Sequence, residues 1–422
     1  MIKLFLILLP QLRKEIIENM IKKIGMLWSD GIDLEEKEGW FSGCEWNALF
    51  KVDFETNEFR YIHKFKDYGI ENNRKNSLCK KYGDKIFCFP VYGDKIWIYH
   101  ISQKDFSAIE MPRKRINGNL LFSQVFLYKN RIYAVSRGMC AVLRIDVDKE
   151  IICDVIDIPK DRGALSGNWI QCENKVLGVY RDRPTVIEID VDLKTIRYYD
   201  VPGIKGGFST ISFIQDDIFV LSGYQKEIYI WNVEINKADI LTEFPKDFGR
   251  YVICDENDRL MIDYEIKENK EALFLEGIDM GKYIWFIPFR TNKIVYLDKE
   301  TYKIGTLEIE NEEESFESWK RPINCKYQRQ YLYENRIIGI YSFKNREILE
   351  IDTTTLCVNR RNFFLQQDSI DELKEMICEE STYFRDESEY QRKIFMRFGK
   401  NNFGIPDTVS NIGKTIYQSV IK

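Results

Sequence analysis

The clearest repeated feature of the chain is a six-residue segment in which apolar and polar positions alternate. It occurs seven times, as ALFKVD (48–53), KIWIYH (95–100), AVLRID (141–146), TVIEID (185–190), EIYIWN (227–232), KIVYLD (293–298) and EILEID (347–352). Alternation with a period of two is typical of a strand with one buried face. The first five copies begin 42 to 47 residues apart, and the last two intervals are 66 and 54 residues. A period near 45 residues indicates a repeat protein.

Turn signals flank the copies on both sides. Five copies end in aspartate and two do not: Asp53, Asp146, Asp190, Asp298 and Asp352 against His100 and Asn232. Upstream, turn dipeptides such as Asn130-Arg131 and Asn174-Lys175 open a second β-rich run, and proline follows the last strand of several copies. Asparagine and aspartate suit tight turns, and proline cannot extend a strand ladder. Each copy therefore predicts four short antiparallel strands.

Seven such four-stranded units cannot bury both of their faces alone, and packing them radially gives an all-β fold, the β-propeller. Seven blades are expected, with six as the alternative because the innermost strand of the first copy, placed at Gly25–Ser29, has a weak pattern. The predicted blades span 24–63, 77–111, 122–158, 167–201, 208–244, 273–309 and 328–364.

The segments outside the repeats define the remaining organisation. We predict an N-terminal helical segment at 1–23, a propeller at 24–364 and a helical tail at 365–422. Within the propeller, the insertion 246–272 could hold a stray hairpin. In the tail, SIDE (369–372) has capping-box spacing, which predicts the start of a short helix.

With the copies aligned, the pattern resembles the kelch and WD40-like superfamily of β-propellers over residues 24–364. It is also similar to bacterial propellers of unassigned function that end in a short helix like NIGKTIYQSVIK (411–422). The kelch glycine doublet and the GH…WD signature are missing, and Trp231-Asn232 is only a near match. The resemblance implies the fold, and it assigns no functional residue.

Composition narrows the class of partner. The 422 residues carry a net charge of −5, which gives no reason to expect nucleic acid or an anionic membrane. The apolar run LFLILL (4–9) is too short to span a bilayer. Ten dispersed cysteines without a CxxC pair indicate reduced thiols and a cytoplasmic protein, with no metal site and no cofactor.

Few residues offer recognisable catalytic chemistry. The chain has two histidines, and it lacks the GxSxG, HExxH and P-loop motifs. The pairs Asp146-x-Asp148 and Asp190-x-Asp192 could suggest calcium loops, but no bend glycine or distal glutamate follows them. We expect these aspartates to cap the turn between the third and fourth strands.

The sharpest functional hypothesis is a basic loop face. In a four-stranded antiparallel blade, the loop between strands two and three opens on the same face as the loop to the next blade. We expect this face to bind an anionic ligand through arginine, with an exposed tryptophan and a glutamate in the loop FSGCEWN (41–47) suited to a sugar or peptide. The candidate residues are Arg115, Arg137, Arg162, Arg181, Arg183, Arg290, Trp46 and Glu45.

Two functions from different classes follow. The favoured one is a non-enzymatic propeller that binds an anionic small molecule, an acidic glycan or an acidic protein segment. The alternative is a glycan-acting lyase or hydrolase, in which arginine positions carboxylates and a tyrosine or glutamate transfers protons. Its candidates are Tyr92, Tyr180, Tyr224 and Glu45. The acidic run 308–317 is expected to be a solvated loop, and the oligomeric state is left open.

Overall fold

A ring of seven four-stranded antiparallel blades forms the body of the molecule. The computed structural model describes residues 29–43, 46–67, 76–112, 122–215, 217–245, 248, 250–254, 260–265, 272–289, 293–310, 312, 314–315, 326–343, 345 and 347–380. The β-propeller prediction with seven blades is confirmed, and the six-bladed alternative is wrong.

Each blade uses four consecutive strands, numbered here in chain order. Blades 1 to 3 comprise β1 Asp33–Glu35, β2 Glu38–Ser42, β3 Ala48–Asp53 and β4 Glu58–Lys64; β5 Asn76–Tyr82, β6 Lys85–Pro90, β7 Lys95–His100 and β8 Asp105–Glu110; and β9 Phe122–Tyr128, β10 Arg131–Ser136, β11 Ala141–Asp146 and β12 Ile151–Asp157. Blades 4 and 5 comprise β13 Leu165–Cys172, β14 Lys175–Tyr180, β15 Thr185–Asp190 and β16 Thr195–Asp200; and β17 Phe208–Gln215, β18 Ile218–Gly223, β19 Ile228–Asn232 and β20 Lys237–Leu241.

The remaining elements complete the ring and add a small sheet beside it. The insertion forms the hairpin β21 Arg250–Cys254 and β22 Leu260–Glu265, as predicted, and β27 Glu314–Ser315 pairs with β21 in parallel. Blades 6 and 7 comprise β23 Phe274–Met280, β24 Tyr283–Pro288, β25 Ile294–Asp298 and β26 Ile304–Leu307; and β28 Tyr327–Tyr333, β29 Ile337–Ser342, β30 Glu347–Asp352 and β31 Cys357–Arg361. A closing strand, β32 Phe364–Leu365, and the helix α1 Gln367–Glu380 follow.

Apolar side chains fill the gaps between blades. Within the described residues they form seven separate buried clusters, and each cluster joins two neighbouring blades. One of them joins blade 7 to blade 1, so the ring is closed. The described tryptophans on strands, such as Trp169, Trp231 and Trp285, are buried at these interfaces, where their large rings fill the space between blades.

The repeated aspartates cap the turns between third and fourth strands, as the sequence predicted. Oδ1 of Asp146 accepts hydrogen bonds from the backbone N–H of Asp148 at 3.2 Å and of Lys149 at 3.0 Å. The same pair of bonds recurs at the other four positions, Asp53, Asp190, Asp298 and Asp352. These carboxylates therefore serve the fold, and the calcium-loop reading has no support at Asp146 or Asp190.

Two contacts close the ring between blades 1 and 7. On the inner side, the backbone N–H of Ile32 donates to the carbonyl of Gln330 at 2.6 Å, and Ser29 Oγ donates to the Gln330 side chain at 2.5 Å. On the outer side, β32 adds to β4 in parallel as a fifth strand. Ile370 and Leu373 of α1 then pack into the interface of blades 1 and 7.

Two predictions at the ends of the repeats need correction. The innermost strand of blade 1 is Asp33–Glu35, later than the predicted Gly25–Ser29, of which only Ser29 is described and is not in a strand. Helix α1 begins at Gln367, and Ser369 does not cap it, because Ser369 Oγ accepts a hydrogen bond from the Tyr61 backbone at 2.9 Å. The predicted helix at 1–23 and the tail beyond 380 lie outside the described residues.

Candidate functional site

The loop that joins the second and third strands of blade 4, residues 181–184, forms the centre of the candidate site. The loop entering the blade holds it from one side, since the Arg181 N–H donates to the Ala164 carbonyl at 2.7 Å. The loop leaving the blade holds it from the other side, where a Cβ at Gly207 would fall 2.1 Å from the Arg181 carbonyl carbon. Both kinds of loop thus meet on one face, as the sequence analysis expected.

A pocket of about 300 Å³ opens beside this loop, toward the outer strands of blade 4. It lies between the short 3₁₀ turn Lys160–Arg162, which enters the blade, and the ends of β14, β15 and β16. Its walls combine two guanidinium groups with hydroxyls and one carboxylate, from Arg162, Tyr180, Arg183, Pro184, Thr185 and Asp200. The structure therefore brings together two of the predicted arginines.

Two tyrosine hydroxyls lie buried beside this pocket. Tyr180 lines the pocket and is 0 % exposed; apart from each other, its hydroxyl and the buried hydroxyl of Tyr198 have no hydrogen-bond partner among the described residues. The two rings lie 6.5 Å apart. Burial first, and the neighbouring Tyr198 second, raise the pKa of Tyr180, so this hydroxyl stays protonated and able to donate.

The two arginines of the pocket lie against aromatic rings and have weak ionic pairing. Cζ of Arg162 lies 4.6 Å from the centre of the Tyr198 ring, and among the described residues Arg162 has no carboxylate partner. Cζ of Arg183 lies 5.8 Å from the Tyr180 ring centre, and its Nε is 3.7 Å from Asp182 Oδ1, beyond hydrogen-bond distance. Both guanidinium groups therefore retain donors for a ligand.

The carboxylates around the pocket are already used in positioning. Both oxygens of Asp182 accept from the Ala164 N–H at 3.3 Å, which ties the entering loop to the 181–184 loop. Gly163 makes this possible, because it has φ 113° and a Cβ there would lie 2.4 Å from Asp182 Oδ1. Thr185 Oγ1 donates to Asp200 Oδ1 at 2.7 Å, so one oxygen of Asp200 is engaged as well.

Two further predicted arginines lie nearer the centre of the ring. The guanidinium of Arg137 lies over Gly167 on the innermost strand of blade 4, with its carbon 3.5 Å from where a Cβ would be. Arg181 Nε donates to the Tyr224 hydroxyl of blade 5 at 3.0 Å. These two residues share the loop face with the pocket but do not line it.

The other predicted site residues do not join the pocket. Trp46 was expected to be exposed, and that expectation is wrong: it is 4 % exposed and packs in the interface of blades 1 and 7. Its loop folds back on the blade, with the Ala48 N–H donating to the Trp46 carbonyl at 2.8 Å. Glu45, Arg115 and Arg290 lie outside the described residues.

Sequence reasoning missed four residues of this region. Tyr198, Thr185 and Asp200 lie on strand positions with no distinguishing pattern, and Asp182 was not among the predicted site residues. A usable signal was the alignment of blades, since Tyr180 and Arg183 take the same places in blade 4 that Ser342 and Asn345 take in blade 7.

No group of three or more His, Cys, Asp or Glu side chains suited to a metal ion occurs among the described residues. Nor does any described helix combine the length and hydrophobicity that a bilayer crossing requires. The six cysteines described as thiols, Cys79, Cys88, Cys140, Cys153, Cys172 and Cys357, form no disulfide.

Comparisons with known proteins return structural likenesses without sequence relatives. No protein-family model and no curated protein matches the chain. A computationally designed protein, Ika8, is similar with a TM-score of 0.49 and 8 % identity over 82 % of this chain and 91 % of that chain. A chain of the mitotic checkpoint complex has a TM-score of 0.49 and 9 % identity over 78 % of this chain and 86 % of its own length. The dihydro-heme d1 dehydrogenase NirN has a TM-score of 0.49 and 10 % identity over 81 % of this chain and 67 % of its own.

Proposed function

We propose that the protein is a binding propeller of the broad kelch and WD40-like kind, and that it holds an anionic ligand in the blade 4 pocket. The observation that carries the proposal is the pair of pocket arginines: the buried Nε of Arg183 has no hydrogen-bond partner, and Arg162 has no carboxylate partner among the described residues. A buried polar group without a partner costs stability unless a ligand or water completes it. A ligand that accepts hydrogen bonds would supply what is missing.

The charge and size of the pocket support an anion. Two guanidinium groups face one carboxylate, and that carboxylate is already bonded to Thr185. Arginine forks match the two oxygens of a carboxylate or phosphate. The volume of about 300 Å³ is at the lower end for small-molecule sites, so it suits one charged group with a few attached atoms.

Catalysis on a glycan has less support than binding. A general base must give up its proton near the working pH, whereas burial raises the pKa of Tyr180. Among the described residues, one arginine, Arg181, is bonded to Tyr224. Tyr92 is 41 % exposed on another blade. The free thiols that are described are compatible with the cytoplasmic location, which is part of the same proposal.

The proposal is tested by replacing both pocket arginines. In the double variant Arg162→Ala and Arg183→Ala, we expect unchanged folding and the loss of the thermal stabilisation that citrate, glucuronate or inorganic phosphate gives the wild-type protein. The matched control is Arg197→Ala on β16, because the Arg197 side chain is 65 % exposed and lies outside the pocket. Equal stabilisation of all three proteins by these anions would contradict the proposal.

A further inference from the structure

Blades 2, 4 and 7 can be aligned residue by residue on the loop face. In each, the loop between the second and third strands has four residues, 91–94, 181–184 and 343–346. The strands on either side keep the same register, so Tyr180 and Arg183 of blade 4 correspond to Ser342 and Asn345 of blade 7. On the outer strand, Tyr198 corresponds to Arg360. The same place on three blades can therefore be compared directly.

In blade 7 this place already holds a carboxylate from the chain itself. Glu312 lies in the loop that enters blade 7 and is 1 % exposed. Its carboxylate accepts hydrogen bonds from Ser342 Oγ at 2.8 Å, Asn345 Nδ2 at 2.7 Å and Arg360 Nη1 at 3.2 Å. These donors occupy the positions of Tyr180, Arg183 and Tyr198 in blade 4. The expectation that the acidic run is simply solvated is thus wrong at Glu312.

Blade 2 also binds an acid of its entering loop, but at the neighbouring position, because Pro90, Gly93 and Ala108 stand where blade 7 has its three donors. Asp67 lies in the loop that enters blade 2, and its Oδ2 pairs with Lys95 Nζ at 2.8 Å. Lys95 is the first residue of the third strand, the position of Thr185 in blade 4. In two blades, therefore, a carboxylate side chain from the entering loop is bound on this part of the loop face.

The loop that enters blade 4 contributes a positively charged side chain where those of blades 2 and 7 contribute a carboxylate. This loop contributes Arg162 to the pocket where blades 2 and 7 contribute an acid, and the 181–184 loop contributes Arg183 in the place of Asn345. The donors are retained through the Tyr180 hydroxyl and the two guanidinium groups, while the carboxylate of the entering loop is replaced by an open pocket.

We infer that the blade 4 pocket binds a glutamate or aspartate side chain of an acidic polypeptide segment supplied by another molecule. This inference rests on the proposed function and specifies its ligand. The two internal occupants are both side-chain carboxylates on polypeptide loops, which favours a peptide over a sugar acid or a phosphate as the source of the anion. The pocket volume suits one such side chain.

The test uses a fluorescein-labelled peptide that copies the chain's own acidic run, EIENEEES (308–315), and a second peptide with every glutamate replaced by glutamine. We expect fluorescence polarisation to show binding of the acidic peptide to the full chain and at least about tenfold weaker binding of the glutamine peptide. Arg162→Ala and Arg183→Ala should each lower the affinity for the acidic peptide by about tenfold or more, and Arg197→Ala should leave that affinity within about twofold of the wild-type value.

The outcomes separate the two levels of the proposal. If glucuronate or inorganic phosphate binds in a manner that depends on Arg162 and Arg183 while the peptide does not, the ligand assignment is overturned and the anion pocket stands. If no anion depends on these arginines, both are overturned. Peptide binding that survives loss of both arginines also overturns the assignment. A double variant, Arg162→Glu with Arg183→Glu, should instead prefer a lysine peptide, and its failure to lose the acidic peptide would count against the inference.

Discussion

At the scale of single residues, two buried tyrosines differ in the partner that their hydroxyl has. Tyr331 donates to Glu350 Oε1 at 2.6 Å inside the interface of blades 1 and 7, and burial followed by the Glu350 carboxylate raises its pKa. Tyr180 is as deeply buried, but the only hydrogen-bonding neighbour of its hydroxyl among the described residues is the Tyr198 hydroxyl. The first hydroxyl satisfies a partly buried carboxylate, whereas the second belongs to a residue that lines the pocket.

Removing each hydroxyl should therefore have opposite consequences. Tyr331→Phe leaves Glu350 without a donor and should lower the free energy of unfolding by about 1–3 kcal/mol. Tyr180→Phe should leave that free energy unchanged or raise it by up to about 1 kcal/mol, and it should lower the affinity for the acidic peptide by roughly tenfold. Urea unfolding and fluorescence polarisation measure the two effects. A large loss of stability in Tyr180→Phe would show that its hydroxyl is structural.

The residue types at the pocket were only partly predictable. Arg162 and Arg183 could be singled out because both fall in loops of the basic face, and Tyr180 because it ends a strand beside such a loop. Tyr198 could not, because its role depends on Arg162 lying over its ring from a different blade segment. Trp46 was misjudged because a loop position suggested exposure, whereas backbone hydrogen bonds fold that loop onto the core.

At the scale of elements, the loop that enters blade 7 is anchored by one buried acid. Glu312 binds Ser342, Asn345 and Arg360, and Arg360 also pairs with Glu347. Burial alone would lower the pKa of Arg360, but these two glutamates raise it. A run of glutamates in the sequence does not reveal that one member is buried, since burial depends on a partner some 50 residues later.

Glu312→Ala should lower the free energy of unfolding by about 2–4 kcal/mol, because it leaves the Arg360 guanidinium without one of its two carboxylate partners. Glu308→Ala in the same acidic run is the control, since its side chain is 73 % exposed, and it should change the free energy by less than about 0.5 kcal/mol. Chemical denaturation of both variants measures the difference. Equal effects would mean that Glu312 carries no special contact.

The elements themselves were mostly predictable. The third strands of blades 3, 4 and 7 coincide with the predicted segments 141–146, 185–190 and 347–352, because alternating apolar residues and turn signals coincide there. The exceptions are short: β1 has three residues and β32 has two, and neither is long enough to show a period. The position of β32 depends on pairing with the distant strand β4, and Ile32, just before β1, is bonded to Gln330 of blade 7, which no local pattern encodes.

At the scale of the whole molecule, the titration of carboxyl groups at low pH and of tyrosines at high pH limits the pH range in which the fold is stable. Turn N–H groups and neighbouring cations lower the pKa of many carboxyl groups, including Asp146, Asp298 and Asp352. A carboxyl group whose pKa is lowered in the folded state stabilises the fold at pH values above its unfolded pKa, which is near 4. This stabilisation is lost as the pH falls below that value. Burial raises the pKa of several tyrosines, including Tyr180, Tyr229 and Tyr331, whose contribution is lost as the pH rises above about 10.

We therefore expect these groups to leave the urea midpoint nearly constant between about pH 5 and 9 and to lower it below pH 4 and above pH 10. Equilibrium unfolding at a series of pH values measures this. The variant Asp298→Asn should show a smaller decrease on the acid side, because it removes one of the titrating groups. A midpoint that rises on acidification below pH 4 would contradict the expected sign.

The number of blades was predictable because it depends only on counting repeats, and closure was not. Seven copies predict a ring, but the residues that join its ends, Gln330 with Ser29 and β32 with β4, are outside the repeat pattern. The identity of the ligand was also out of reach from sequence, because the comparison of blades 2, 4 and 7 requires knowing which loop residues face each entering loop.

The loops between second and third strands have the same length in most blades, so a binding loop could be moved from one blade to another. Blades 2, 3, 4, 5 and 7 each have four residues in this loop. The tetrapeptide Arg-Asp-Arg-Pro of blade 4 could thus be transplanted to a second blade together with its entering arginine, without redesigning the scaffold. A propeller that carries the native site and one such graft would bind a chain with repeated acidic residues at two points, so the number of sites, rather than a deeper pocket, would set the affinity.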